Sequence, residues 1–278
     1  MTDTDTTNKQ LSLAEFKDLQ DYIYQKSGMF FPVSRKNYIE QKVIKRIATL
    51  KYESFKDYMN ILRNELIRTE IINLFNEITV NETFFFRDLP QLEVLEKHIF
   101  PEAVASKKST INILSAGCSS GEEAYTIAII LREKFPQLNF NITGIDISDM
   151  VVAKAIRAEY SDYAVRFVPK PYMKKYFSTV TNNVFKFLDQ YKTNVRFQKY
   201  NLMEFDNIHP GTPFDVIFCR YVLIYFDKDS KQKVITSFYD KMAPNGYLIL
   251  GNSESLFSVT SDFKMLHFPS AIIYNRRK

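Results

Sequence analysis

The sequence predicts an α/β chain in two parts: an all-helical N-terminal domain, then a doubly wound, mostly parallel sheet domain carrying a small insert. Three observations predict this. Apolar residues recur at helical spacing from Leu11 to about Ile78 with no strand pattern among them. From about Ile111 short β-rich runs alternate with helical stretches, the signature of right-handed parallel crossovers. Residues 159–194 interrupt that alternation with Pro169 and Pro171.

The elements follow in order. Residues 1–10 read as a disordered polar tail. Residues 11–80 read as four short helices, carried by Phe16, Leu19, Tyr22 and Ile23; by Val43, Ile44 and Ile47; by Phe55, Tyr58, Met59 and Leu62; and by Ile67, Ile71, Ile72 and Phe75. Gly28 and Pro32 separate the first two. Residues 81–110 read as a linker and connecting helix. The sheet domain spans 111–278. Its strands are expected at 111–116, 139–146, 195–201, 214–220 and 246–252, with helices at about 121–134, 149–158 and 228–242. The runs 262–268 and 271–277 read as a closing antiparallel hairpin. Within the insert, a short helix near 171–177 and a strand at 184–188 are expected.

Composition narrows the class. The 278 residues are 45% hydrophobic and 25% charged, which is globular and excludes a disordered or collagen-like chain. The net charge of +5 is too mild to indicate nucleic acid by itself. Cys118 and Cys219 sit in apolar runs without metal-site or disulfide spacing. No apolar run is long enough for a membrane span, and the polar start carries no signal segment. A reducing cytoplasm is the expected compartment.

The first strand of the sheet domain runs into Gly117-Cys118-Ser119-Ser120-Gly121, then Glu122-Glu123. Two glycines between a strand and a helix permit a tight turn and close approach of a ligand to the backbone. The loop has neither the three-glycine dinucleotide pattern nor the lysine of a phosphate-cradling loop, so a nucleoside without phosphates fits better. Asp146, at the end of the second strand, is placed to accept from both ribose hydroxyls. Its alternative use is as a helix N-cap, which Ser148 or Asp149 can also fill. A nucleoside site with no phosphate grip suits S-adenosylmethionine (SAM). Arg87, beside Phe84-Phe85-Phe86, is suited to a bidentate hold on a carboxylate such as the methionyl end of that cofactor.

The runs N-E-T-F-F-F-R, G-C-S-S-G-E-E-A-Y, G-I-D-I-S, Y-N-L, F-D-V-I-F-C-R-Y-V-L-I-Y-F-D and G-N-S-E-S-L occur in that order. Together they resemble the CheR-type chemotaxis receptor methyltransferases, protein-glutamate O-methyltransferases, over almost the whole chain. The resemblance implies a Rossmann-like class I SAM-dependent methyltransferase domain. It implies that Asn81, Thr83, Arg87, Glu122 and Asp146 contact SAM, that Gly117 shapes its loop, that Asn201 and Leu202 flank the adenine, and that Arg220 and Tyr221 line the same pocket. Tyr225 matches a tyrosine placed near the transferred methyl. The products would be a glutamate methyl ester and S-adenosylhomocysteine (SAH).

Two departures from the family pattern stand out. Tyr221 occupies a position where that pattern has Asn. The helix after F-F-R offers Lys97, Lys107 and Lys108 where the pattern often has a further Arg. In segment 35–51, Lys42, Lys45 and Arg46 share one helical face. They are the expected contact for acidic receptor helices, and a solvated face is the plainer reading. RNA is disfavoured because the stripe lacks interleaved aromatics. The insert sequence YFSTVTNNVFKFL contains no Gly, so no tethering of a receptor's C-terminal pentapeptide is expected. A monomer with no metal is expected. The competing readings are a non-catalytic SAM-sensing module of the same fold and a methyltransferase acting on RNA or a small molecule.

Overall fold

The computed structural model describes residues 10–64, 68–80, 82–208, 211–269 and 271–277. The expected tail, apart from residue 10, lies outside them, as does Asn81. The chain divides into two compact units between Asn81 and Glu82.

The first unit holds four α-helices: α1 (Leu13–Ser27), α2 (Lys36–Leu50), α3 (Phe55–Arg63) and α4 (Arg68–Ile78). Ser12 and Glu15 cap α1 reciprocally, and Gly28 ends it in the left-handed conformation that glycine adopts at least cost. The periodic residues form the core: Phe16, Leu19 and Ile23 from α1, Ile39, Val43 and Ile47 from α2, Tyr58, Met59 and Leu62 from α3, and Ile72 and Phe75 from α4 are all buried. Arg46 on α2 fastens α4. Its guanidinium donates to both oxygens of Glu70 at 2.9 and 2.6 Å, and Tyr58 donates to the same carboxylate at 2.9 Å.

The second unit begins with α5 (Leu89–Val94), a π-helical turn at Leu95–Ile99 and α6 (Phe100–Ala105), which run on from one another. A seven-stranded sheet follows, built from β1 (Thr110–Ala116), β2 (Asn139–Asp146), β6 (Val195–Lys199), β7 (Phe214–Cys219), β8 (Met242–Leu250), β9 (Phe263–Phe268) and β10 (Ala271–Arg276). Its order is β6-β2-β1-β7-β8-β10-β9. The first five strands of that order are parallel, and β10 is antiparallel to both neighbours. Helices α7 (Glu122–Lys134), α8 (Asp149–Arg157) and α11 (Lys228–Lys241) are the crossovers. Strand order reverses between β1 and β7, so a crevice opens at the carboxyl ends of these two strands.

Two details differ from expectation. Strand β8 starts at Met242 rather than Gly246, because it pairs first with Phe214 and then bulges before Tyr247 meets Val216. The insert contains two strands the sequence did not disclose. Beside α9 (Asp162–Val165) and α10 (Lys170–Tyr176), β3 (Glu159–Ser161), β4 (Phe177–Thr181) and β5 (Val184–Phe187) pair antiparallel in the order β3-β5-β4. Strand β3 is three residues long, and four of the five residues of β4 are exposed. Neither leaves an apolar alternation to read.

Among the described residues no helix is long and apolar enough to cross a membrane, and no group of three or more His, Cys, Asp or Glu is placed to hold a metal ion.

Candidate active site

Loops after β1, β2, β6 and β7 converge at the crevice, and they carry most of the residues singled out in the sequence. The first is the glycine loop. The N–H groups of Gly117 and Cys118 both donate to the Ile145 carbonyl, at 2.8 and 2.9 Å, which binds the loop to the end of β2. Gly117 (φ +73°) and Gly121 (φ +92°) adopt conformations that favour glycine. At Gly121 a Cβ would stand 2.9 Å from both the Ala155 Cβ and the Phe197 ring. The turn is therefore as tight as the two-glycine spacing predicts, and α7 starts directly behind it.

Asp146 receives the Ser119 N–H at 2.9 Å on one carboxylate oxygen and the Ser148 N–H at 3.0 Å on the other. Ser148, not Asp146, caps α8. The Ile147 N–H also bonds this carboxylate, and of about four acceptor positions it keeps capacity for a ligand hydroxyl. Burial raises the Asp146 pKa, and the backbone N–H donors oppose the shift.

Glu122 opens α7 almost fully buried. Burial pushes its pKa up to about 7, against the pull of hydrogen bonds from Ser120 and Thr83. Thr83 and Glu122 are thus brought together. Asn201 caps the 3₁₀ turn at Leu202–Asn207 by accepting from Met203 N–H at 3.1 Å, and Leu202 is buried behind it.

The two arginines differ in kind. Arg220, with its side chain 5% exposed, is expected as a pocket-lining group. The structure commits it to protein partners: it lies 3.2 Å from both Asp88 and Glu123 and donates to the Arg87 carbonyl at 3.2 and 3.3 Å. It ties residues 87–88 to the end of β7. Arg87 pairs with no carboxylate among the described residues. It donates to the Glu82 carbonyl at 2.5 Å and lies over the Tyr221 ring at 3.9 Å. Its charge remains available for an anionic ligand group.

The three consecutive phenylalanines face three environments, which is why they fit no single helix face. Phe85 is in the core against Tyr160 and Phe177, Phe86 stacks on Tyr172, and Phe84 meets Phe167 and Arg166. Tyr225 is half-buried and ends a short 3₁₀ turn, Leu223–Tyr225, on the loop after β7.

One residue was quoted within a motif but given no task. Glu254, in G-N-S-E-S-L, accepts the N–H groups of Tyr221 at 2.6 Å, Gly251 at 2.8 Å and Ile224 at 3.2 Å. It shapes the loop that carries Tyr221 and Tyr225. An acid in a short polar run directly after a buried strand was the available signal. The buried Cys118 and Cys219 are not nucleophiles, since burial drives both thiols well above their ordinary pKa.

Lys42, Lys45 and Arg46 belong to the helical unit. Arg46, expected as a receptor contact, is the half-buried partner of the buried Glu70. Lys45 lies 2.9 Å and Lys42 3.9 Å from Glu77. The stripe is thus largely compensated by its own unit, and Arg46 is not exposed for recognition.

Two family models match: "CheR methyltransferase, all-alpha domain" over residues 14–79 and "CheR methyltransferase, SAM binding domain" over residues 81–272. The chain belongs to the CheR methyltransferase family. It is 35% identical over 264 residues to chemotaxis protein methyltransferase 2 of Vibrio cholerae, covering 94% of this chain and 92% of that protein. It is 32% identical to a chemotaxis protein methyltransferase of Vibrio anguillarum (95% and 97% covered) and 31% identical to one of Borreliella burgdorferi (90% and 90%). SAM is the cofactor of this CheR-family methyltransferase.

Proposed function

We propose that this enzyme methylates glutamate side-chain oxygens on the cytoplasmic helices of chemotaxis receptors. Bound SAM supplies a methyl group on a positively charged sulfur and leaves as neutral SAH. The observation that supports a carboxylate target is the histidine-free sequence of the loops after β1, β2 and β7; the one histidine of the loop after β6 is His209. His98 packs its ring on Phe268, His267 lies within β9, and His209 is outside the described residues. A glutamate, with a pKa of about 4.3, is already an anion at neutral pH and needs no base. An oxygen lone pair of the carboxylate forms the new C–O bond as the C–S bond breaks, and no proton moves.

The protein's own tasks are then grip, alignment and exclusion of water. Asp146 holds the ribose, Arg87 the carboxylate, and Thr83 and Glu122 the neighbouring polar atoms. Opposite charges combine into neutral products, so a low-dielectric setting favours progress. Alignment alone contributes on the order of 7–11 kcal/mol when the reacting atoms are held in line. Tyr225 orients the target rather than acting as a base. The Tyr221 ring is occupied by Arg87 and its hydroxyl by Asp88, which supports a competent site over a purely sensing one. Docking of acidic helices falls to the exposed Lys45 and to Lys42.

Transfer of tritiated methyl to receptor cytoplasmic fragments tests the reading. Label released by mild alkali as methanol is expected. Alkali-stable label, or transfer to RNA in place of the fragments, would overturn it. The glycine-free insert is proposed not to tether receptor pentapeptides, so calorimetric titration with such a peptide should show no tight binding.

A further inference from the structure

The loop after β7 holds a residue in a costly conformation. Tyr221 has φ +60°, a region that bulky side chains rarely occupy and that Asn tolerates far better. Strain of this kind persists only where surrounding contacts over-determine it. Three contacts do so here. The Tyr221 N–H donates to Glu254 at 2.6 Å, the hydroxyl donates to Asp88 at 2.8 Å, and the Arg87 guanidinium lies 3.9 Å from the ring centroid. Asp88 is itself fixed by Arg220 at 3.2 Å and by the Asn252 amide at 3.4 Å. The ring is therefore anchored at both ends, while the guanidinium above it has no protein carboxylate. A long, flexible cation resting on a rigid aromatic face loses little freedom when it captures an anion.

We propose that Tyr221 is a positioning residue: its ring is the platform that holds Arg87 ready for the carboxylate of SAM. This rests on the assignment of Arg87 to that carboxylate. On this account the strained backbone at 221 is retained because Asn, though easier to accommodate, offers no face to a guanidinium. The hydroxyl bond to Asp88 fixes the ring's tilt, and the ring fixes the guanidinium plane.

The test compares two ligands by isothermal titration: SAH, and 5′-methylthioadenosine, which keeps the nucleoside and sulfur but has no carboxylate. The variants are Tyr221→Asn, Tyr221→Phe and Arg87→Gln in the full chain. Tyr221→Asn suits the left-handed backbone, so loss of fold is not its expected effect. It should weaken SAH by about five- to thirtyfold while changing methylthioadenosine by less than about twofold. Tyr221→Phe keeps the ring but loses the bond to Asp88, so it should weaken SAH by less than Tyr221→Asn does. Added to Arg87→Gln, Tyr221→Asn should cost nothing more. If Tyr221→Asn weakens both ligands alike, or neither, the platform is wrong while the Arg87 assignment stands. If Arg87→Gln leaves SAH binding intact, the assignment itself fails and the platform with it.

Discussion

Gly117 and Val222 oppose each other at the carboxyl ends of β1 and β7: a Cβ on Gly117 would stand 2.3 Å from Val222 Cγ2. Gly117→Ala thus meets two penalties, a left-handed backbone (φ +73°) and a collision. The first costs roughly 1–2 kcal/mol and the second about 1–3 kcal/mol. Urea unfolding should show a loss of about 2–5 kcal/mol, the combined range of these terms. Adding Val222→Ala should return the collision part only. A single variant as stable as wild type would mean that the loop passes Val222 with room to spare.

Glu122 gives the site a pH dependence with a definite sign. Its native pKa is raised to about 7 from a model value of 4.5. The protonated form is therefore favoured by folding. Its stabilising contribution is complete below pH 4.5 and is lost as pH rises to about 7. Relative to Glu122→Gln, the ligand-free protein should lose stability across that window and then level off. Binding of cationic SAM favours the ionised carboxylate, so affinity should rise through neutrality and binding should release protons. Calorimetry in buffers of different ionisation heat measures that release. An equal release from Glu122→Gln would assign it elsewhere.

The basic face of α2 separates into two functions that a charge count cannot distinguish. Arg46 is joined to Glu70, whose side chain is 3% exposed. Arg46→Ala strands that buried carboxylate and should destabilise the protein by about 3–5 kcal/mol. Lys45 is 64% exposed and pairs with Glu77 near the surface. Lys45→Ala should change stability by less than about 1 kcal/mol. It should instead raise KM for receptor fragments, with a weaker salt dependence than wild type. Chemical denaturation and initial rates at two ionic strengths separate the outcomes. A Lys45 variant with unchanged KM would remove this face from recognition.

These contrasts show what the sequence discloses and where it stops. Periodicity located the helices because Phe16, Val43 and Tyr58 each sit on one buried stripe. Strand alternation located the parallel sheet and the loops that follow its strands, while the order of the strands came only with the structure. Gly117, Gly121 and Asp146 were legible because their chemistry is local: a turn and a strand end. The pairs Arg46–Glu70, Arg220–Asp88 and Glu254–Tyr221 were not, since each joins residues 24 or more positions apart. Sequence gives the charge of such residues but not whether a distant carboxylate claims it. The exposed strand β4 was hidden for a related reason, as it is held by backbone pairing to β5 rather than by an apolar face of its own.

Tyr225 supplies the sharpest division between binding and turnover. It lies on the loop whose backbone Glu254 gathers through Tyr221 and Ile224. Tyr225→Phe should fold normally and bind SAH within about twofold of wild type, a difference under 1 kcal/mol. An orienting hydrogen bond to an ionised target is worth about 1.5–3 kcal/mol. If that bond is made in the transition state, kcat should fall by roughly one to two orders of magnitude. The loss should be the same from pH 6.5 to 8.5, because an orienting hydroxyl that stays protonated introduces no titration in that range. Wild-type turnover in this variant would remove Tyr225 from the reaction. A loss that grows with pH would instead mark the hydroxyl as a proton acceptor, and the base-free reading of the crevice would fall with it.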